Sequence, residues 1–242
     1  MIKNVLVVFY VLVVFSCSLN KSTMQMIEGE GPNVQKEFSV DMFRYLEIDV
    51  NANVQLIQSD SLSVTIDGYK NIVDLLDFRV SNSHMVIKFK KPMNHNSVLN
   101  IKIFVPAIQK IIMNGSGKFE IKAWENEDFL TFRNNGLAEF NVENLNNIKH
   151  LLVEVNGSGS FFSIGESSKI QNVTCILNGS GDVNLEKFTL KNVNIELNGS
   201  GNVALSEIQQ LNLDLIGSGN VTYHGFPKIH QKIIGTGTLQ QK

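Results

Sequence analysis

Four copies of Asn-Gly-Ser-Gly, beginning at Asn114, Asn156, Asn178 and Asn198, offer a flexible loop with a central hydroxyl. That combination is raw material for a phosphate cradle or for a nucleophilic serine. A dinucleotide-type cradle needs a third glycine three positions after the second, at the mouth of a helix, and a Walker loop needs a Lys-Ser or Lys-Thr pair. The positions in question hold Glu120, Phe162, Asn184 and Ala204, and strand-like alternation follows each of them. A serine hydrolase needs one singular serine with its own base, whereas Ser-centred or Thr-centred glycine pairs recur at Gly217 and Gly235 as well. Both chemistries are therefore set aside, and the tetrapeptide reads as a turn.

The acidic residues offer a second chemistry. Glu154, Glu196 and Asp214 each stand three positions before the first glycine of a copy, and Glu196 and Asp214 belong to consecutive copies. Paired carboxylates are what glycosidic acid/base catalysis requires. Ile176 interrupts the same column and Lys232 continues it, so a solvated strand face is the better reading. The five histidines, His84, His95, His150, His224 and His230, form neither His-Glu-x-x-His nor another close ligand pair, and no metal or cofactor is expected. Cys175, in the apolar stretch VTCIL, reads as a small core residue rather than a reactive thiol.

The elements that would carry these residues follow from the repeat. The first glycines are Gly115, Gly136, Gly157, Gly179, Gly199, Gly217 and Gly235, at intervals of 21, 21, 22, 20, 18 and 18 residues. The second are Gly117, Gly159, Gly181, Gly201, Gly219 and Gly237; the copy NNGLAEF at Gly136 lacks one. Two positions before the first glycine stand Met113, Val155, Leu177, Leu197, Leu215 and Ile233, all apolar. After the motif come alternating pairs such as Phe119 and Ile121, Phe140 and Val142, and Val183 and Leu185. Period-two alternation on both sides of a turn, repeated about every 20 residues, predicts an all-β parallel solenoid, or β-helix, with one coil per repeat. A propeller blade would need about 40 residues. Seven coils spaced about 4.8 Å apart would make a prism roughly 30 Å long. Glycine supplies positive φ and close approach at the corner, and the preceding Asn114, Asn135, Asn156, Asn178 and Asn198 are placed to hydrogen-bond from coil to coil.

Composition agrees with a globular domain. The chain has 242 residues, 43% hydrophobic, with 21 basic against 23 acidic side chains and a formal net charge of −2. No basic stripe marks a nucleic-acid surface. Residues 1–17 differ in kind: Lys3 precedes an uncharged run from Val5 to Phe15, too short to span a bilayer, and then Ser16 and Cys17. The ending VFSC resembles a bacterial lipobox, which implies that Cys17 is lipidated, becomes the mature amino terminus and anchors the chain to a membrane. Acylation of Cys17 leaves Cys175 without an intrachain partner. The expected organisation is a signal segment at 1–17, a flexible tether at 18–37, and a solenoid domain at 38–242. Within the domain, 38–106 form an irregular β region or cap and 107–242 form the repeat coils. NIVDLLD, from Asn71 to Asp77, is placed as a short helix.

From about Phe38 onward the chain resembles the putative auto-transporter adhesin, head GIN domain family, which is common among Bacteroidetes lipoproteins. The resemblance rests on VPAIQKIIMNGSGKFEI, on the repeated NGSG turns and on the closing IGSGNVTYHGFPKIHQKIIGTGTL. It implies an architecture similar to pectate-lyase-like β-helices without their catalytic residues. It also implies a non-enzymatic lipoprotein of the cell envelope, at the outer membrane, that adheres to a glycan or protein ligand. A periplasmic carrier of a small ligand or lipid is the alternative reading, and a carbohydrate-active enzyme a third. The sequence leaves open the oligomeric state and which side of the outer membrane the domain faces.

Overall fold

The computed structural model describes residues 26–91, 94–95, 97–165 and 168–242. The signal segment, Cys17 and the first part of the tether lie outside the described residues.

Among the described residues nine short strands come first: β1 (Met26–Ile27), β2 (Asn33–Phe38), β3 (Tyr45–Ile48), β4 (Ala52–Gln58), β5 (Ser63–Tyr69), β6 (Leu76–Ser81), β7 (His84–Phe89), β8 (Asn94–His95) and β9 (Leu99–Val105). The helix α1 (Lys70–Val73) between β5 and β6 is a single turn that buries Ile72 and Val73. It is shorter than the stretch from Asn71 to Asp77, because from Leu76 the chain is drawn into β6, antiparallel to β7.

The repeat then supplies two strands per coil. The first strand precedes the glycine corner: β10 (Lys110–Met113), β12 (Phe129–Asn134), β14 (His150–Val155), β16 (Lys169–Gly179), β18 (Thr189–Gly199), β20 (Gln210–Gly217) and β22 (Lys228–Gly235). The second follows it: β11 (Lys118–Glu125), β13 (Glu139–Asn146), β15 (Ser160–Ser163), β17 (Val183–Leu185), β19 (Asn202–Glu207), β21 (Asn220–His224) and β23 (Thr238–Gln241). Successive first strands pair in parallel in one sheet and successive second strands in another, completing about six turns of roughly 21 residues. We call these the entry sheet and the exit sheet.

The alternation in the sequence becomes the core. Leu151, Val153 and Val155 of β14 sit in register with Val173, Cys175 and Leu177 of β16, and these with Val193, Ile195 and Leu197 of β18, all buried. Phe119, Phe140 and Phe161 stack up the exit sheet at successive centroid distances of 5.0 and 6.4 Å, and Phe132 from the entry sheet meets Phe140 at 5.4 Å and Phe161 at 5.1 Å. The interior is thus filled by side chains, as protein interiors are.

The N-terminal region does not follow chain order. The coil made by β3 and β4 pairs with β10 and β11 on one side and with β7 and β9 on the other. The chain therefore lays down the second coil before the first. Beyond that first coil the sheets turn antiparallel, with β6 closing the entry sheet and β5 then β2 closing the exit sheet. Order begins before Phe38: β2 occupies residues read as tether, because Val34, Lys36 and Phe38 alternate inward against β5. One lysine in that short run hid the period. Lys36 pairs with Asp74, which also pairs with Lys70, and a charge on the inner side of an edge strand discourages a further strand from adding. At the other end Gln231 lies in register with buried Leu213, and Lys228 and Lys232 flank it. At this end the inward polar residue is an uncharged amide, and the two lysines stand on the outer face of the edge strand.

Candidate functional site

The glycine corner is built by close stacking. Gly199 has φ +148°, and a side chain there would collide with the Gly179 carbonyl oxygen, which already accepts the Ser200 N–H at 2.9 Å. The same geometry recurs at Gly217 over Gly199 and at Gly235 over Gly217. The degenerate copy solves the corner differently. Ala138 replaces the second glycine, and buried Asn134 replaces the apolar residue at the strand end, donating to the Ala138 carbonyl at 2.5 Å and accepting the Gly136 N–H at 3.3 Å.

Beside the corner runs an amide ladder with one polarity. Asn135 donates to Asn114 at 2.7 Å, Asn156 to Asn135 at 3.0 Å, Asn178 to Asn156 at 2.9 Å and Asn198 to Asn178 at 3.1 Å. Asn114 at the head donates to the Glu47 carboxylate at 2.9 Å and also to Asp49. A parallel ladder on the exit sheet runs from Asp182 through Asn202 and Asn220 to Thr238. Each is headed by a carboxylate, the natural acceptor for a donor with no amide beyond it. Past Asn198 the first ladder ends in Ile216 and Ile234, each 51% exposed.

The acidic column lies on the outer face of the entry sheet. In register it reads Arg133, Glu154, Ile176, Glu196, Asp214, Lys232. Glu154 is held by Arg133 at 2.6 Å and accepts from Asn156 at 2.7 Å. Glu196, Asp214 and Lys232 border a shallow depression of 240 Å³. The geometry brings the two carboxylates onto adjacent strands, with Lys232 beside Asp214 and a solvent-facing surface around them.

The histidines do not converge. His84 sits 3.0 Å from Glu47, His150 stacks on Phe129 with ring centroids 4.6 Å apart, His224 lies 3.7 Å from Glu186, and His230 is exposed on β22. The side chain of His95 lies outside the described residues. Among the described residues no group of three His, Cys, Asp or Glu side chains could hold a metal ion. Cys175 is fully buried, and burial pushes its thiol up to about 12, so it is not a nucleophile near neutral pH. Glu127, buried in the loop before β12, is raised by burial, opposed by Arg44 at 3.4 Å and by the Ile108 N–H at 3.2 Å. It fastens the first repeat coil to the cap.

Sequence reasoning missed a broad concavity. The outer face of the exit sheet, across β2, β5, β9, β4 and β11, forms an open groove of 810 Å³. Its lining includes Gln35, Glu37, Thr65, Asp67, Asn100, Lys102, Phe104, Asn53, Gln55, Lys118 and Glu120. A depression of 390 Å³ continues it past Gln55, Lys102 and Glu120 to Lys122. The only signal was the polar half of each strand's alternation, which gives no partner strand and hence no groove.

No helix among the described residues is long and apolar enough to cross a membrane. No curated protein matches the chain in sequence. Several solved structures share its fold, among them the following three. A putative adhesin from Bacteroides fragilis aligns with TM-score 0.80 at 20% identity, covering 89% of this chain and 100% of that one. A putative lipid binding protein from Parabacteroides distasonis aligns with TM-score 0.67 at 22% identity, covering 90% and 100%. A putative adhesin from Parabacteroides merdae aligns with TM-score 0.57 at 18% identity, covering 90% and 99%. The family model "Putative auto-transporter adhesin, head GIN domain" matches residues 42–227, spanning the inverted cap coils and the glycine corners through β21, and the chain belongs to that family.

Proposed function

We propose that the protein is a non-enzymatic cell-envelope lipoprotein, anchored through Cys17 at the outer membrane, that binds a glycan or protein partner on the outside of its solenoid. The observation that carries this reading is where the polar chemistry lies. The interior is packed with Phe, Leu, Val and Ile, and a broad open groove lies on an outer sheet face. A rigid stack of coils holds such a surface in place without moving parts. The adhesin family points the same way.

The test has two parts. Proteinase K on intact cells, with lysed cells as control, reports whether the domain is reachable from outside, and palmitate labelling of wild type against Cys17→Ser reports the anchor. Digestion on intact cells with label lost in Cys17→Ser is the expected result. Protection on intact cells removes adhesion to outside partners, and label that survives Cys17→Ser removes the lipid anchor.

A lipid carrier is the second reading, favoured by the relative described as a lipid binding protein. The filled interior speaks against an enclosed acyl chain, and organic extraction of purified protein that yields stoichiometric lipid would restore it. Catalysis by Glu196 and Asp214 requires polysaccharide cleavage that Asp214→Asn abolishes.

A further inference from the structure

We infer that the groove across β2, β5, β9, β4 and β11 is a binding site for a neutral carbohydrate chain. This rests on the reading of the protein as a binding protein but assigns a place and a ligand class to it. The first observation is that the polar side chains here are left available. On the repeat coils the amides are consumed by their neighbours, as in the ladder from Asn114 to Asn198. In the groove, among the described residues, Gln35, Glu37, Thr65, Asp67 and Lys102 make no side-chain hydrogen bond or ion pair. Asn53 donates to Asn100, and Gln55 to Glu120, at 3.3 Å, while the Asn53 Oδ1 also accepts the Lys118 N–H at 3.2 Å and the Lys118 ammonium lies 3.9 Å from Glu139. These are long bonds that a ligand hydroxyl can displace at small cost.

The second observation is charge. Glu37, Asp67 and Glu120 face Lys102 and Lys118, with Lys122 at the continuation, so three negative charges meet three positive ones. A polyanion would meet three carboxylates and a polycation three ammonium groups. A neutral polyhydroxylated chain suits the mixture, because an amide offers donors and an acceptor together, a carboxylate accepts from two neighbouring hydroxyls, and a lysine donates. Phe104, half-buried in the lining, supplies an apolar surface for C–H faces.

The third observation is shape. Five strands at about 4.8 Å make a trough roughly 19 Å across the strands, open to solvent. That accommodates a short stretch of a long chain, entering and leaving freely, rather than an enclosed monosaccharide.

The test titrates the purified chain with cello-, malto-, manno- and chitin oligosaccharides, with polygalacturonate and anionic phosphatidylglycerol vesicles as charged comparisons. The variants are Gln35→Ala/Gln55→Ala in the groove and Glu196→Ala/Asp214→Ala on the entry sheet, all at solvent-facing positions so that thermal melts can confirm folding. At least one neutral oligosaccharide is expected to bind, with affinity reduced about tenfold or more in the groove variant and unchanged in the entry-sheet variant. That binding should vary little between about 0.05 and about 0.5 M salt, because screening acts on charge pairs. Sugar binding that survives the groove variant and falls in the entry-sheet variant overturns the site while sparing the binding protein. Binding only to polygalacturonate or to vesicles overturns the ligand class. No binding to any of these probes overturns the inference, and capture of an envelope protein by the same chain would show the broader reading intact.

Discussion

Replacing Gly199 by alanine separates two costs that the corner combines. At φ +148° a side chain occupies backbone space that L-residues rarely visit, costing about 1–3 kcal/mol. The new Cβ also meets the Gly179 carbonyl oxygen, and parting the two coils at a packed contact adds about 1–3 kcal/mol. Moving that carbonyl strains the bond it accepts from Ser200 at 2.9 Å. The sum is about 2–6 kcal/mol, and at about 2–4 °C per kcal/mol for a domain of this size the melting temperature should fall by about 10 °C at the middle of that range. Gly31→Ala is the control: φ is +83° but nothing lies within 4 Å of the added carbon, so only the conformational cost of about 1–2 kcal/mol remains. Circular-dichroism melts of both variants against wild type give the comparison. If Gly199→Ala melts no lower than Gly31→Ala, the corners do not need glycine for close stacking and the account of the repeat is wrong.

Other expectations follow from single residues. With the Cys175 thiol at about 12 against an unfolded value near 9, the folded state holds its proton longer, so stability falls as pH rises between those values by about 1.4 kcal/mol per unit; denaturant midpoints should fall more steeply in wild type than in Cys175→Ala. Glu127 is also raised, so its contribution favours the folded state as pH falls toward the ordinary carboxylate range; Glu127→Gln should flatten that part of the stability profile. Asp74 is held down to about 2 by hydrogen bonds from Lys36 and then Lys70, and Lys36→Met should move its NMR titration toward the usual range. Asn156 both donates and accepts within the ladder whereas Asn198 ends it, so Asn156→Ala should destabilise by about 1 kcal/mol more than Asn198→Ala in denaturant unfolding.

The coils were legible because each copy carries two independent signals, glycine at the corner and alternation beside it, and stacking requires both. The Asn column could be read from spacing alone, since identical residues one coil apart must face each other in a parallel sheet. The departure at NNGLAEF was visible, but its remedy was not: Asn134 sits at a position that is apolar in the other copies, and only the folded corner shows its amide bridging Gly136 and Ala138. The cap was opaque for a topological reason. Alternation in YLEIDV and LNIKIFV says which side chains point inward but not which strand lies alongside, so the inverted order of the first two coils carries no local mark. The groove inherits that opacity, because Gln35, Asp67, Asn100 and Gln55 come from four strands that chain order does not make neighbours. Arg44 and Glu127 are 83 residues apart and share no pattern.

The inverted coils also bear on how the molecule carries load. A solenoid wound in chain order unzips when pulled from its end, surrendering one coil at a time at low force. Traction from the N-terminal side reaches β2 and then β3 and β4, which are clasped between two neighbours rather than lying at an edge. β3 holds four residue pairs with β7 and four with β10, and β4 holds seven with β9 and three with β11. Extraction must shear ladders on both flanks together, so the N-terminal side acts as a mechanical clamp. Traction on β23 and β22 meets one neighbouring coil and peels.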